Sequence, residues 1–225
     1  RATEAVALME KNYALVTQDL ITSVRLCNQY LINKATLKCN MLIDELELIH
    51  GPHIATKLLR VKVLQAQHRY PEALQFFEQK ISEKPTKSNH KRIKAILHSQ
   101  NKQHNEALEI LNDLLTINPA NVDYMQLKTN ELLALKQYQE AEILNAQVLK
   151  LRPNNYRAQY IQAELLYLTK NYYQAQRAAE KLIILEPSSF LASLLLSNTL
   201  VAQKKLDEAL EASIKAKGKS KNNSP

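Results

Sequence analysis

Apolar residues along this chain recur at helical spacing, in short segments separated by polar turns. The segment 122–155 shows the pattern clearly. Its first half has a helical rather than an alternating pattern, with apolar residues at Tyr124, Leu127, Leu132, Leu133 and Leu135. After a turn at residues 136–138, a second helix carries one apolar face, at Ala141, Leu144, Val148 and Leu151. Pro153 ends that helix because proline lacks the N–H that a helix interior needs. The segment predicts a helical hairpin and a short link.

The hairpin repeats along the chain with a period of 34 residues. Small residues keep this interval at Ala5, Cys39, Ala73, Ala107, Ala141, Ala175 and Ala209, and prolines keep it at Pro85, Pro119, Pro153 and Pro187. A fixed period of this length indicates stacked copies of one unit. The full repeats are 20–53, 54–87, 88–121, 122–155, 156–189 and 190–223. We predict a single all-α solenoid over residues 1–225, built of antiparallel helix pairs.

Each alanine slot should face a second small residue on the first helix of its hairpin, where the two helices approach closely. That second series also has a period of 34, at Cys27, Val61, Ala95, Thr129, Ala163 and Ser197.

The two ends depart from the pattern. Residues 1–19 match only the second helix of an earlier repeat, which predicts either a fragment of a longer protein or an irregular cap. Residues 215–225 lose the pattern and predict a frayed basic tail. No targeting signal is visible in the sequence, which begins at Arg1, so the compartment stays open between cytoplasm and periplasm.

Candidate chemistry is sparse. Cys27 and Cys39 face each other in one hairpin, either as small buried side chains or as a disulfide, and they lack the spacing of a zinc or redox motif. The six histidines form no metal-binding motif, and there is no phosphate-binding glycine loop and no nucleophile motif. The sequence therefore predicts no catalytic residues, no metal and no cofactor.

The charge offers the main functional hint. The formal net charge is +8, with one basic cluster near residues 84–94 and another in the tail. Lysines also occupy the turn between the two helices in four successive repeats, at Lys102, Lys136, Lys170 and Lys204. They either keep exposed turns soluble or form a basic edge for an acidic partner, polymer or membrane surface.

The period, the closing proline and a recurring Tyr-x-x-Ala corner together resemble the tetratricopeptide repeat. The corner is present at Tyr70–Ala73, Tyr138–Ala141 and Tyr172–Ala175. The first helices depart from the family pattern, as at Met125, Lys128 and Thr129, where Trp, Leu and Gly are usual. The resemblance covers nearly the whole chain and implies a right-handed α-solenoid.

Proteins of this family commonly bind peptides or helices in a concave groove lined by the first helices. Carried over to this chain, the resemblance implies a partner-binding groove containing Lys62, Gln65, Arg92, Gln126, Asn130, Arg157, Tyr160, Glu164 and Tyr167. Arg157, Tyr160 and Tyr167 are the predicted anchors, because Tyr and Arg dominate binding hot spots. The alternative is that both tyrosines pack between neighbouring helices. The Lys/Asn pair by which some members clamp a chaperone's carboxylate is missing.

The resulting functional prediction is a non-catalytic scaffold that binds a protein or peptide partner. Residues 158–200 loosely resemble long bacterial repeat proteins linked to exopolysaccharide production and export, which would place the chain in a bacterial envelope system. The alternative is a basic binder of nucleic acid or another acidic polymer. Nucleic acid is the less favoured partner, because no polar pair recurs in every repeat as a base-reading solenoid requires. Homo-oligomerisation stays open.

Overall fold

The computed structural model describes residues 7–8, 10, 19–81 and 88–222, and the side chains among them as far as residue 214. These residues form twelve α-helices and no strand. The helices are α1 (Leu20–Ile32), α2 (Thr36–His50), α3 (Ile54–Ala66), α4 (Tyr70–Lys80), α5 (Ser88–Gln100), α6 (His104–Ile117), α7 (Val122–Ala134), α8 (Tyr138–Leu151), α9 (Tyr156–Leu168), α10 (Tyr172–Leu185), α11 (Phe190–Ala202) and α12 (Leu206–Asn222). The predicted all-α helical-repeat solenoid is confirmed.

The odd-numbered helices begin at a recurring side-chain cap. In five of these helices the preceding side chain accepts a backbone N–H of the first turn, and the capping residues are Asp19, His53, Asn121, Asn155 and Ser189. These caps satisfy N–H groups that have no partner within the helix. These capping residues keep the 34-residue period, so the sequence indicates where these first helices begin.

The turn within each hairpin contains one residue in the left-handed backbone region. Six such residues stand 34 apart with φ between 58° and 65°: Lys34, His68, Lys102, Lys136, Lys170 and Lys204. The next residue's N–H closes each turn, as in the 2.8 Å bond from Gln137 to the Leu132 carbonyl. The lysine series of the sequence therefore lies at the point where the chain reverses direction.

The two small-residue series meet inside the hairpins as predicted. All six first-helix slots and all six described alanine slots are buried. In the first hairpin the Cys27 thiol donates to the Cys39 carbonyl oxygen at 3.4 Å, and both cysteines are free thiols. In the last, the Ser197 hydroxyl donates to the Ala209 carbonyl at 3.1 Å. Side chains longer than these would not fit between backbones so close.

The chain divides into two compact units, residues 1–110 and 111–225. In the first unit α1 lies beside α3, and separate apolar clusters form around Leu46 and Phe77. In the second, α9 lies beside α11, and one cluster joins α9, α10 and α11 around Leu182. In each unit the first helices of two neighbouring repeats therefore lie side by side.

Some expectations differ from the structure or fall outside it. Helix α12 continues to Asn222, so residues 215–222 are helical where a frayed tail is predicted. The physical reason is that Ala and Lys favour helix strongly enough to carry the chain past Gly218. Ala5, Pro85, Lys84 and Lys87 lie outside the described residues, as does most of segment 1–19. Within that segment, Glu10 accepts hydrogen bonds from Tyr30 and Lys38.

Candidate functional site

A concave pocket of about 490 Å³ lies between the first helices α1, α3 and α5 of the first unit. Its walls are aliphatic, formed chiefly by Val24, Leu58, Ile93 and Ile96. These residues share the pocket because α1 lies beside α3 and a hydrogen bond from Gln65 to Gln100 links α3 to α5. A concave, mostly apolar pocket with a few polar groups is the usual form of a binding site.

Three predicted groove residues lie together at this pocket: Lys62, Gln65 and Arg92. The Lys62 ammonium donates to Asn28 Oδ1 at 2.8 Å, and Gln65 Nε2 donates to Gln100 Oε1 at 2.7 Å. Both bonds join helices of different repeats, so they hold the polar groups in place around the apolar walls. Among the described residues that line the pocket there is no carboxylate. Its polar chemistry therefore suits an anionic group next to an aliphatic one.

The other predicted groove residues belong to the second unit and are more involved in packing. Gln126 Nε2 donates to Asn155 Oδ1 at 3.0 Å, and Asn130 is half-buried. Tyr160 and Tyr167 are half-buried and pack against the cluster around Leu182, and the Tyr167 ring lies 5.8 Å from that of Tyr172. This contact matches the alternative in which the tyrosines pack between helices. Arg157 is exposed.

Burial governs the ionisable groups on this part of α9. Burial, followed by the neighbouring Glu164 and Tyr156, raises the pKa of Tyr160 to about 12. Burial also raises the pKa of the Glu164 carboxyl above its ordinary value. Burial therefore shifts both groups toward their neutral forms relative to solvent-exposed side chains.

The predicted basic edge consists of exposed side chains. Lys102 belongs to the first unit and Lys136, Lys170 and Lys204 to the second, where they occupy the same slot of successive repeats. Their role in binding stays a prediction.

The sequence did not single out the aliphatic walls Leu58, Ile93 and Ile96. A signal was available, because Leu58 and Lys62 stand one helical turn apart, as do Arg92 and Ile96. Their apolar character resembles that of core residues, so only the three-dimensional arrangement shows that they line a pocket.

The described residues include no group of His, Cys, Asp and Glu side chains that could hold a metal ion. In the same part of the chain, no helix is both long enough and apolar enough to cross a membrane.

Comparison with known proteins agrees with the repeat architecture. The family of anaphase-promoting complex, cyclosome, subunit 3 matches residues 137–216, less than half of the chain. A tetratricopeptide repeat protein from Parabacteroides merdae is similar with a TM-score of 0.69 at 16% identity, over 88% of this chain and 78% of that one. The chain folds as a tetratricopeptide-repeat protein.

Other tetratricopeptide-type structures are also similar to it. MamA 41-end from Desulfovibrio magneticus RS-1 has a TM-score of 0.61 at 16% identity, over 75% of this chain and 96% of that one. A chain of the APC/C hetero-tetramer Cut9–Hcn1 has a TM-score of 0.74 at 13% identity, covering 99% of this chain and 44% of that one. None of the curated proteins matches the sequence. The tetratricopeptide fold is in general a scaffold for protein–protein interaction.

Proposed function

We propose that this chain is a non-catalytic scaffold that binds a peptide segment of a protein partner at the pocket between α1, α3 and α5. The proposal rests on the pocket, which has a volume of about 490 Å³ and combines aliphatic walls with Lys62, Gln65 and Arg92. The general use of this fold in protein–protein interaction supports a protein partner.

The pocket chemistry specifies the segment further. An aliphatic side chain would enter between Leu58, Ile93 and Ile96, where its burial contributes roughly 1.5–3 kcal/mol. A neighbouring carboxylate would meet Arg92, whose planar guanidinium binds carboxylates in a bidentate manner. The preferred segment therefore has a Leu, Ile or Val close to an Asp or Glu.

A display experiment tests this assignment. Short random peptides are selected on the full chain, and their dissociation constants are measured for the native protein and for Arg92→Glu. We expect selected peptides to pair aliphatic with acidic residues and to bind Arg92→Glu at least about tenfold more weakly, a change of about 1.4 kcal/mol.

Arg152→Glu supplies the matched control, because Arg152 is an exposed arginine in the second unit. This control should bind like the native chain. Peptides without acidic residues, or equal losses in both variants, would contradict the pocket assignment.

We also propose a bacterial setting in envelope or exopolysaccharide assembly. Its support is the resemblance of residues 158–200 to bacterial repeat proteins of that system and the bacterial origin of two similar structures. Deletion in the source organism should then lower secreted polysaccharide. An unchanged yield of secreted polysaccharide would contradict the bacterial setting but would not affect the proposal for the pocket.

A second candidate partner is an acidic polymer, and the exposed lysines at one slot of successive repeats favour it. Its binding would weaken steeply with salt, by several orders of magnitude between about 50 and 200 mM if many phosphates are contacted. Peptide binding dominated by the apolar pocket would change much less.

A further inference from the structure

The joint between α1 and α2 brings two cysteines together, and the sequence contains no others. Cys27 and Cys39 are fully buried and both are free thiols. The Cys27 thiol donates to the Cys39 carbonyl oxygen at 3.4 Å, and the two side chains are also hydrogen-bonded to each other. A disulfide requires two cysteine side chains in contact across closely spaced backbones, and this pair meets that requirement.

Packing at such a joint does not require sulfur. In the last hairpin the same two slots hold Ser197 and Ala209, and the Ser197 hydroxyl donates to the Ala209 carbonyl oxygen at 3.1 Å. Small size and one hydrogen bond are therefore supplied there by serine and alanine. The cysteine pair adds a property that these residues lack, because two thiols can be oxidised together to a disulfide.

The two thiols differ in acidity. The hydrogen bond from Cys27 lowers the pKa of the Cys39 thiol against the opposing effect of burial, and the Lys62 ammonium lowers it further. The same hydrogen bond, together with burial, raises the pKa of the Cys27 thiol. Because the thiolate is the nucleophile, Cys39 is the sulfur that attacks an oxidant first.

We propose that Cys27 and Cys39 form a redox-sensitive joint, which a peroxide converts into a disulfide between α1 and α2. The Cys39 thiolate attacks one peroxide oxygen, the O–O bond breaks, and Cys39 becomes a sulfenic acid while the other oxygen leaves as water. The Cys27 thiol then attacks the Cys39 sulfur, the S–O bond breaks, and the hydroxyl leaves as a second water with the Cys27 proton. The two thiols together lose two electrons, and the peroxide gains them.

The disulfide should stabilise the first hairpin, because a crosslink between α1 and α2 restricts the unfolded chain more than the folded one. Both sulfurs are buried, so a peroxide reaches them when the hairpin opens locally. A thiol reductant reverses the reaction by thiol–disulfide exchange. The device acts on the stability of the first hairpin and does not depend on what the pocket binds.

Oxidation of the full chain tests the proposal. The reduced chain is treated with hydrogen peroxide, the bond is located by peptide mapping without reductant, and unfolding is followed in urea. We expect an intrachain Cys27–Cys39 disulfide, recognised by the loss of two hydrogen atoms from the linked peptides. We also expect a higher urea midpoint than that of the reduced chain, and dithiothreitol should reverse both changes.

The control variant is Cys27→Ser/Cys39→Ala, which carries the residue types of the last hairpin at the same slots. Its urea midpoint should not rise with peroxide, and any change in it measures the effect of oxidising the three methionines. Thiols that persist after the treatment, or a disulfide that joins two chains, would overturn the proposal. So would an intrachain disulfide that leaves the midpoint unchanged or lowers it.

Discussion

One residue in each hairpin turn has a left-handed backbone conformation, which is unfavourable for any residue other than glycine. Glycine is the residue that adopts positive φ at low cost, yet all six of these positions carry Lys or His. A left-handed conformation costs a residue with a Cβ about 1–2 kcal/mol. The chain retains this cost in every described hairpin turn.

This strain predicts that Lys170→Gly stabilises the fold. Relief of the left-handed conformation outweighs the extra entropy that glycine gains on unfolding, so the free energy of unfolding should rise by roughly 0.5–1 kcal/mol. Urea denaturation measures the change.

Lys181→Gly is the matched control, since Lys181 is an exposed lysine inside helix α10. It should lower the free energy of unfolding by about 1 kcal/mol. A loss of stability from both substitutions would show that the Lys170 side chain itself stabilises the turn.

At the scale of the element, a capping side chain can do more than begin its own helix, because it can also bond a neighbouring helix. Asn155 Oδ1 accepts the Ala158 N–H at 3.0 Å and, at the same distance, Gln126 Nε2 from α7. Asn121 makes a cap bond of 3.1 Å to the Tyr124 N–H. One side chain at the start of α9 therefore sets both where that helix begins and how it contacts the neighbouring first helix.

This difference predicts unequal effects of removing the two caps. Asn121→Ala should cost about 1 kcal/mol, the usual loss for a cap, and Asn155→Ala about 2 kcal/mol because the Gln126 donor also loses its partner. Thermal unfolding of both variants gives the comparison. Equal losses would mean that the bond between Gln126 and Asn155 contributes nothing to stability.

The helices could be predicted from the sequence because residues within or next to each helix determine where it begins and ends. The alanine slots, the closing prolines and the apolar faces recur every 34 residues, and the structure places helices and hairpin joints accordingly.

The candidate site could be predicted from the sequence only in part. Lys62, Gln65 and Arg92 meet at one pocket, but the packing of Tyr160 and Tyr167 depends on the neighbouring helix α11, which no local pattern specifies. Exposed and buried aliphatic residues also have the same period, so sequence alone cannot separate exposed aliphatic residues from core residues.

At the scale of the whole molecule, the first unit presents a surface suited to a protein partner: the pocket between α1, α3 and α5, with cationic groups beside aliphatic walls. A pocket of this form accepts single side chains of a bound segment. In the second unit the predicted anchors Tyr160 and Tyr167 pack against the cluster around Leu182 instead.

A methyl NMR titration of the full chain with a display-selected peptide tests directly whether the pocket is the binding site. If the peptide binds at the pocket, the methyl signals of Leu58, Ile93 and Ile96 should shift together, and the shifts should saturate in agreement with the dissociation constant measured in solution. The chemical shifts of methyl groups packed beside Tyr160 and Tyr167, such as that of Ala163, should not change. Shifts at Ala163 without shifts at Leu58, Ile93 and Ile96 would contradict the pocket as the binding site.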